Sequence, residues 1–241
     1  MSKKAIMDKQ LFEDAQDFEW RHTIEWLRGN LQNCANLLNV NSTNPYKMCG
    51  HPDITGNLNQ FFENDPQVWE SFAESIKDKR LLEIGGSCFG VTAMWTFVDD
   101  RVLIDPLIEK IDAALSFVMQ RSWYHGTKKY SQTAEKFIPE LEGTVDGCIY
   151  VRNCLDHTAH PWGILDNIGK YAAPGCHLLL WNHITHPPNT PGHVTITEDP
   201  KEIENYIKDL GFDIIREVVH GGPAGVADDD HVDFGCVAVK R

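Results

Sequence analysis

Hydrophobic and polar positions along the chain fall into two regimes that meet near residue 80. Before it, Trp20, Ile24, Leu27, Leu31, Ala35 and Leu38 recur three or four apart, one face of an amphipathic helix. The polar stretch "NVNSTNPYKMCGHPDITGN" then reads as a loop. A second helix is predicted from Asp65-Pro66, with proline in its first turn and Val68, Phe72 and Ile76 on one side. Past Arg80, short apolar runs alternate with helical stripes. "RLLEIG", "RVLID", "KKYSQTA", "VDGCIYVRN", "CHLLLWN", "FDIIREVV" and "VDFGCVAVKR" read as strands. "VTAMWTFV", "LIEKIDAALSFVMQ", "PWGILDNIGKYA" and "DPKEIENYIKDLG" read as helices between the first six.

Continuous apolar strands separated by helices imply a mostly parallel sheet covered on both faces. The last two strands are joined by "HGGPAGVADDDH" with no helix between, so they are expected to pair antiparallel as a hairpin at one edge. The pattern therefore predicts an α/β protein with seven strands. Residues 1–79 form a helical extension and residues 80–241 the sheet domain.

The first strand runs straight into a glycine turn, "LLEIGGSCFG", Leu81 to Gly90. In parallel sheets of this kind ligands bind beyond the carboxyl ends of the strands. A dinucleotide loop would carry glycine at 85, 87 and 90, so that bare backbone meets the pyrophosphate, but position 87 is Ser87. Glu83 adds a carboxylate two residues before the turn, a poor neighbour for two phosphates. The chemistry fits a nucleoside-like ligand with a positive charge and no phosphate, such as S-adenosylmethionine (SAM). The other reading of the turn is tight strand–helix packing alone.

"LLEIGGSCFG" resembles the first motif of class I SAM-dependent methyltransferases, an acidic residue followed by a glycine-rich turn. Glu83 and Gly85 match it, Gly86 and Gly90 keep the segment flexible, and Ser87 and Phe89 depart from it. "QTAEKFIP" is similar to the segment after the third strand, which would set Ala134 and Glu135 along the adenine edge. "DGCIYVRNCLDHTAHPWGILDNIGKYAAPGCHLLL" resembles the fourth strand, next helix and fifth strand of UbiE-like small-molecule methyltransferases, with Asn153, Leu155-Asp156-His157 and Pro174-Gly175 in place. The resemblance covers Arg80 to Arg241. It implies a Rossmann-like fold with SAM as cofactor, held by Glu83, Gly85, Gly86, Ser87, Asp105, Ala134, Glu135, Asn153 and Cys154.

Asp105 ends the second strand, about 20 residues after Glu83, the interval at which an acidic side chain meets ribose hydroxyls. The same residue could cap the next helix, just as Glu135 could be a solvated helix start. His157 follows the fourth strand beside the expected methyl group. It is the candidate catalytic base or acceptor contact, against the alternative of an imidazole that only packs over the cofactor. "WNHITHPPNTPGHVTIT" brings His183, His186 and His193 after the fifth strand, where they would line an acceptor pocket. With Asp156 and His157 nearby a metal site is the alternative reading, but none of the spacings is that of a known metal motif, so no metal is expected.

Charge narrows the partners. With 22 Lys and Arg against 35 Asp and Glu the formal charge is −13, which argues against nucleic acid or an anionic membrane. Seven cysteines at irregular spacing include no C-x-x-C pair, and no run approaches 18 apolar residues, so a reduced, cytoplasmic setting is expected. The sequence thus predicts a SAM-dependent methyltransferase acting on a small-molecule acceptor. The alternatives are a methyltransferase-like binding module without catalysis and an NAD-dependent oxidoreductase.

Overall fold

The computed structural model describes residues 13, 16–21, 23–25, 61–63, 65–86, 90–119, 122, 124–187, 190, 192–221 and 232–241. Its centre is a seven-stranded sheet: β1 (Leu81–Ile84), β2 (Arg101–Ile104), β3 (Thr127–Tyr130), β4 (Cys148–Arg152), β5 (His177–His183), β6 (Phe212–Gly221) and β7 (Val232–Lys240). The spatial order is β3-β2-β1-β4-β5-β7-β6. The first five strands run parallel, β7 lies antiparallel to β5, and β6 pairs antiparallel with β7 at the edge. The Rossmann-like sheet and terminal hairpin predicted from the apolar runs are both present. So is β3, whose alternating "TKKY" pattern suits an edge strand.

Helix α1 (Pro66–Ile76) starts where the sequence places it. The Asp65 side chain accepts the Gln67 N–H at 2.8 Å and Pro66 takes the first turn. Helix α2 (Val91–Met94) is shorter than "VTAMWTFV" predicts. Trp95 leaves helical geometry (φ −83°, ψ 62°) and its indole packs among Trp69 at 5.3 Å, Tyr150 at 5.9 Å and Phe72 at 6.0 Å. Tertiary packing overrides local periodicity there. Helices α3 (Ile108–Met119), α4 (Pro161–Tyr171) and α5 (Pro200–Asp209) follow the predicted stripes. Among the described residues no helix is long and apolar enough to cross a membrane.

Alternate residues of each strand feed different faces. Leu82, Ile84, Val102, Ile104, Ile149 and Val151 pack beneath α4 and α5, while Leu81, Tyr150, Leu179 and Trp181 meet the aromatic layer built on α1. Registers align Ile84 with Ile104 on one side and with Val151 on the other. The chain therefore leaves β1, β2 and β4 at one level, around the point where connections diverge to the two halves of the sheet. That is where such sheets bind ligands.

Fully buried Tyr171 joins α4 to the segment after β3. Its hydroxyl accepts the Ile138 N–H at 2.9 Å and its ring stacks on Phe137 at 5.5 Å. Tyr171→Phe keeps the ring but strands that amide, so a loss of about 1–3 kcal/mol is expected in urea unfolding. A midpoint equal to the parent's would show that the amide finds another acceptor.

Candidate active site

The loops leaving β1, β2, β3 and β4 border a cleft with an open mouth. Gly85 and Asp105 form the floor, Ala134 and Glu135 one wall, and Asn153, Cys154 and His157 another. Helical residues 16–21 and 23–25 supply part of the roof through Gln16, Glu19 and Thr23.

Glu83 faces away from this cleft. Its carboxylate accepts the Val91 N–H at 2.7 Å, the Thr92 N–H at 2.9 Å and the Thr92 hydroxyl at 2.6 Å. These are the first N–H groups of α2, the donors that bind pyrophosphate in a dinucleotide fold. Here they are occupied from inside the protein. The glycines make room: a Cβ at Gly90 would lie 2.6 Å from Glu83 Oε2, and one at Gly86 would lie 2.7 Å from Leu103. Gly86 thus serves packing behind the cleft. Gly85 has φ +74° and lies so close to Cys154 that a Cβ would fall 2.4 Å from the Cys154 Cβ, which leaves glycine as the residue that fits. Ser87, the remaining predicted contact of this turn, lies outside the described residues.

Asp105 lines the cleft at the end of β2, buried, and its Oδ1 accepts the Leu107 N–H at 2.7 Å. Asp105 thus caps the turn after β2 and borders the cleft. Asn167 of α4 donates to the carbonyls of Ala134 (2.9 Å) and Glu135 (3.0 Å), fixing the wall after β3. Glu135 Oε1 accepts the Ala159 N–H at 3.0 Å, whereas its buried Oε2 has no hydrogen-bond partner among the described residues. Asn153 leaves β4 with φ +44°, a left-handed conformation that asparagine tolerates better than most residues.

The polarity of the walls is one-sided. Among the described residues, buried Gln16 Oε1, Glu135 Oε2 and Asn153 Oδ1 are acceptors without a donor, and buried His157 Nδ1 also lacks a hydrogen bond. Glu19, Asp105 and Glu135 are carboxylates, and among the described residues no lysine or arginine lines the cleft. Arg21, a residue with the length to reach a ligand, is exposed and not part of the lining.

Behind His157 sits a polar cluster centred on Asp156, which is fully buried. Asn182 of β5 fixes it. The Asn182 carbonyl accepts the N–H groups of Cys154 (2.8 Å) and Leu155 (2.9 Å), so its amide nitrogen donates to Asp156 Oδ1 at 2.7 Å. Asp156 Oδ2 receives His186 Nε2 at 2.8 Å, with His157 Nε2 at 3.6 Å and His193 Nε2 at 3.9 Å. Burial alone would raise this carboxyl. Nearby His157, the His186 hydrogen bond and the Asn182 amide outweigh it and hold the group well below the usual aspartate range. On its cleft side, His157 Nδ1 lies 3.4 Å from Glu19 Oε1. Sequence reasoning brings His157 to the cleft but misses Asp156, Asn182, Glu19 and Asn167 as its framework. The polar Asn182 inside the apolar run "CHLLLWN" is the signal available, since a buried strand amide needs partners.

No protein-family model matches the chain, and no curated protein sequence does. Solved structures do. The chain is similar to a SAM-dependent methyltransferase from Aquifex aeolicus, with TM-score 0.51 and 18% identity over 76% of this chain and 92% of that one. It is similar to the trans-methyltransferase CalH in complex with SAH, at 0.50 and 17% over 71% and 54%. It is also similar to the [4+2]-cyclase SpnF, at 0.50 and 14% over 78% and 92%. With the strand order and terminal hairpin above, these likenesses give the chain the fold of class I SAM-dependent methyltransferases.

Burial raises the Glu83 carboxyl to about 7 from its ordinary 4.5, against the opposing hydrogen bonds from Thr92 and Val91. Between those values the unfolded chain releases a proton that the folded chain keeps, so this contribution to stability is complete below pH 4.5 and lost as pH rises through 7. Glu83→Gln is expected to be the less stable protein at pH 5, because its amide nitrogen cannot accept. Its deficit should shrink by about 3 kcal/mol by pH 8. Urea unfolding of both proteins across that range checks it, and a pH-independent difference would contradict it.

Proposed function

We propose that the protein is a SAM-dependent methyltransferase acting on a small-molecule acceptor, with residues 80–241 binding the cofactor and the helices of residues 1–79 serving as a lid. The carrying observation is the polarity of the cleft: among the described residues it holds buried acceptors and carboxylates without lysine or arginine, beside a helix N-terminus already closed by Glu83. SAM presents ribose hydroxyls, an adenine amine and an ammonium as donors, together with a sulfonium charge. A diphosphate presents acceptors and negative charge, which disfavours the NAD reading.

In this reading Asp105 accepts from the ribose hydroxyls and Glu135 Oε2 from the adenine amine, with Ala134 against the ring. Gly85, Asn153 and Cys154 border the amino-acid end. Glu83 and Gly86 act by shaping the turn, and Ser87 belongs to the same turn. The acceptor's lone pair attacks the methyl carbon, the carbon–sulfur bond breaks, and a neutral thioether leaves. The site's main contribution is alignment, for which effective-molarity effects supply about 7–11 kcal/mol. His157 takes the proton of a hydroxyl acceptor, or of an ammonium before its freed lone pair attacks, its ring held between Glu19 and Asp156. The formal charge of −13 supports a small molecule over a nucleic acid, and a cytoplasmic setting fits the free thiols of Cys148, Cys154, Cys176 and Cys236. SpnF carries the same fold as a [4+2]-cyclase, so the fold by itself leaves binding without methyl transfer as the second reading.

SAM carrying a labelled methyl group, incubated with small-metabolite extract and separately with total RNA, separates these readings by mass spectrometry. Label is expected in a low-mass product. Label in RNA alone, or SAM binding with no product, would overturn the proposal. Asp105→Asn should weaken SAM about tenfold or more in calorimetry, the cost of a charged hydrogen bond. His157→Gln should lower turnover roughly 10²- to 10⁴-fold with SAM affinity little changed, and unaltered turnover would remove it as the base.

A further inference from the structure

We propose that Asp156, His186 and His193 form a binding site for a divalent transition ion of the zinc class, in the layer behind His157. The three residues bring one ligand atom each within 4.8 Å of one another. A tetrahedral zinc site with bonds near 2.0–2.1 Å has ligand atoms about 3.3 Å apart. The separations from Asp156 Oδ2, 2.8 Å to His186 Nε2 and 3.9 Å to His193 Nε2, bracket that value. Small side-chain adjustments suffice to admit an ion.

The surroundings are those of a built site. Asn182, locked by two backbone amides, holds Asp156 Oδ1 and turns Oδ2 toward the imidazoles, as outer partners of metal-bound carboxylates do. The loop that carries the histidines is fastened at both ends. The Val194 N–H donates to the Asp156 carbonyl at 2.8 Å, the His186 N–H to Thr195 Oγ1 at 3.1 Å, and the Ile196 N–H to the Ile184 carbonyl at 2.9 Å. Among the described residues the partners of this fully buried carboxylate are an amide and imidazoles, with no lysine or arginine paired to it. An ion held by neutral imidazoles would take the place of their protons as the carboxylate's cationic partner.

Two imidazoles and one carboxylate suit zinc, cobalt, nickel or iron and disfavour magnesium and calcium, which prefer oxygen ligands. His157, which lines the ligand cleft, has its Nε2 3.6 Å from the same Asp156 oxygen. The ion would be separated from the cleft by one imidazole. Sequence spacing gives no hint of this, because Asp156 and the histidines come from loops after different strands.

The test uses the full chain, stripped with a chelator and confirmed as folded by circular dichroism. Calorimetric titration with zinc is expected to show one tight, saturable equivalent per chain, with no heat from magnesium. Cobalt should give the intense visible bands of a low-coordinate site, and zinc should raise the melting temperature. His186→Gln and His193→Ala should each weaken zinc about 100-fold or more, since even loss of an outer partner costs 10- to 100-fold. The partly exposed His193 keeps the test available if Asp156→Asn does not fold. Absence of saturable zinc binding by the folded parent, or parental affinity in both histidine variants, would overturn the proposal. Neither readout depends on methyl transfer, so the two proposals fail separately.

Discussion

The Glu83 carboxylate closes the N-terminus of the helix after β1, and the character of the cleft follows from that contact. In a parallel sheet those amides are the ready anion site of the molecule. With both Val91 and Thr92 donating inward, the acceptor for these amides is a built-in part of the protein. Gly90 and Gly86 lack side chains where the carboxylate and its neighbours need the space, so the glycine turn is shaped around Glu83 as much as around a ligand. What remains for a ligand is a floor at Gly85 and Asp105 and walls rich in acceptors.

A second set of contacts holds the walls in place. Asn167 ties the segment after β3 to α4, and Asn182 ties the start of the segment after β4 to β5. Each uses a buried amide to satisfy backbone groups that have left the sheet, which otherwise would carry the cost of unpaired polar atoms. Through Asp156 the Asn182 network extends to three imidazoles, and through His157 and Glu19 it reaches the N-terminal helix. Cleft, cluster and roof are mechanically continuous.

Much of this architecture is legible in the amino-acid sequence. Alternation of apolar runs with helical stripes sets the sheet, and the missing helix after "FDIIREVV" sets the hairpin, because strand pairing without a crossover has to be antiparallel. Asp105, Glu135, Asn153, Cys154 and His157 reach the cleft since each ends or follows a strand, where position along the chain determines position in space. Glu83 is legible as an anion that excludes phosphate, but not as the partner of α2, because sequence does not show which way a strand-end side chain turns. The Asp156 cluster is legible only as a neighbourhood, since its members follow adjacent strands. Its geometry depends on Asn182 and on the Ile196 N–H bond to the Ile184 carbonyl, which no local periodicity encodes.

The central claim is that this cleft selects a cationic nucleoside over a phosphorylated one. Calorimetry with SAM, adenosine and ADP tests it most directly, since the three share one nucleoside and differ in what is attached. The account predicts that SAM binds more tightly than adenosine and that ADP binds most weakly. ADP binding more tightly than adenosine would contradict it.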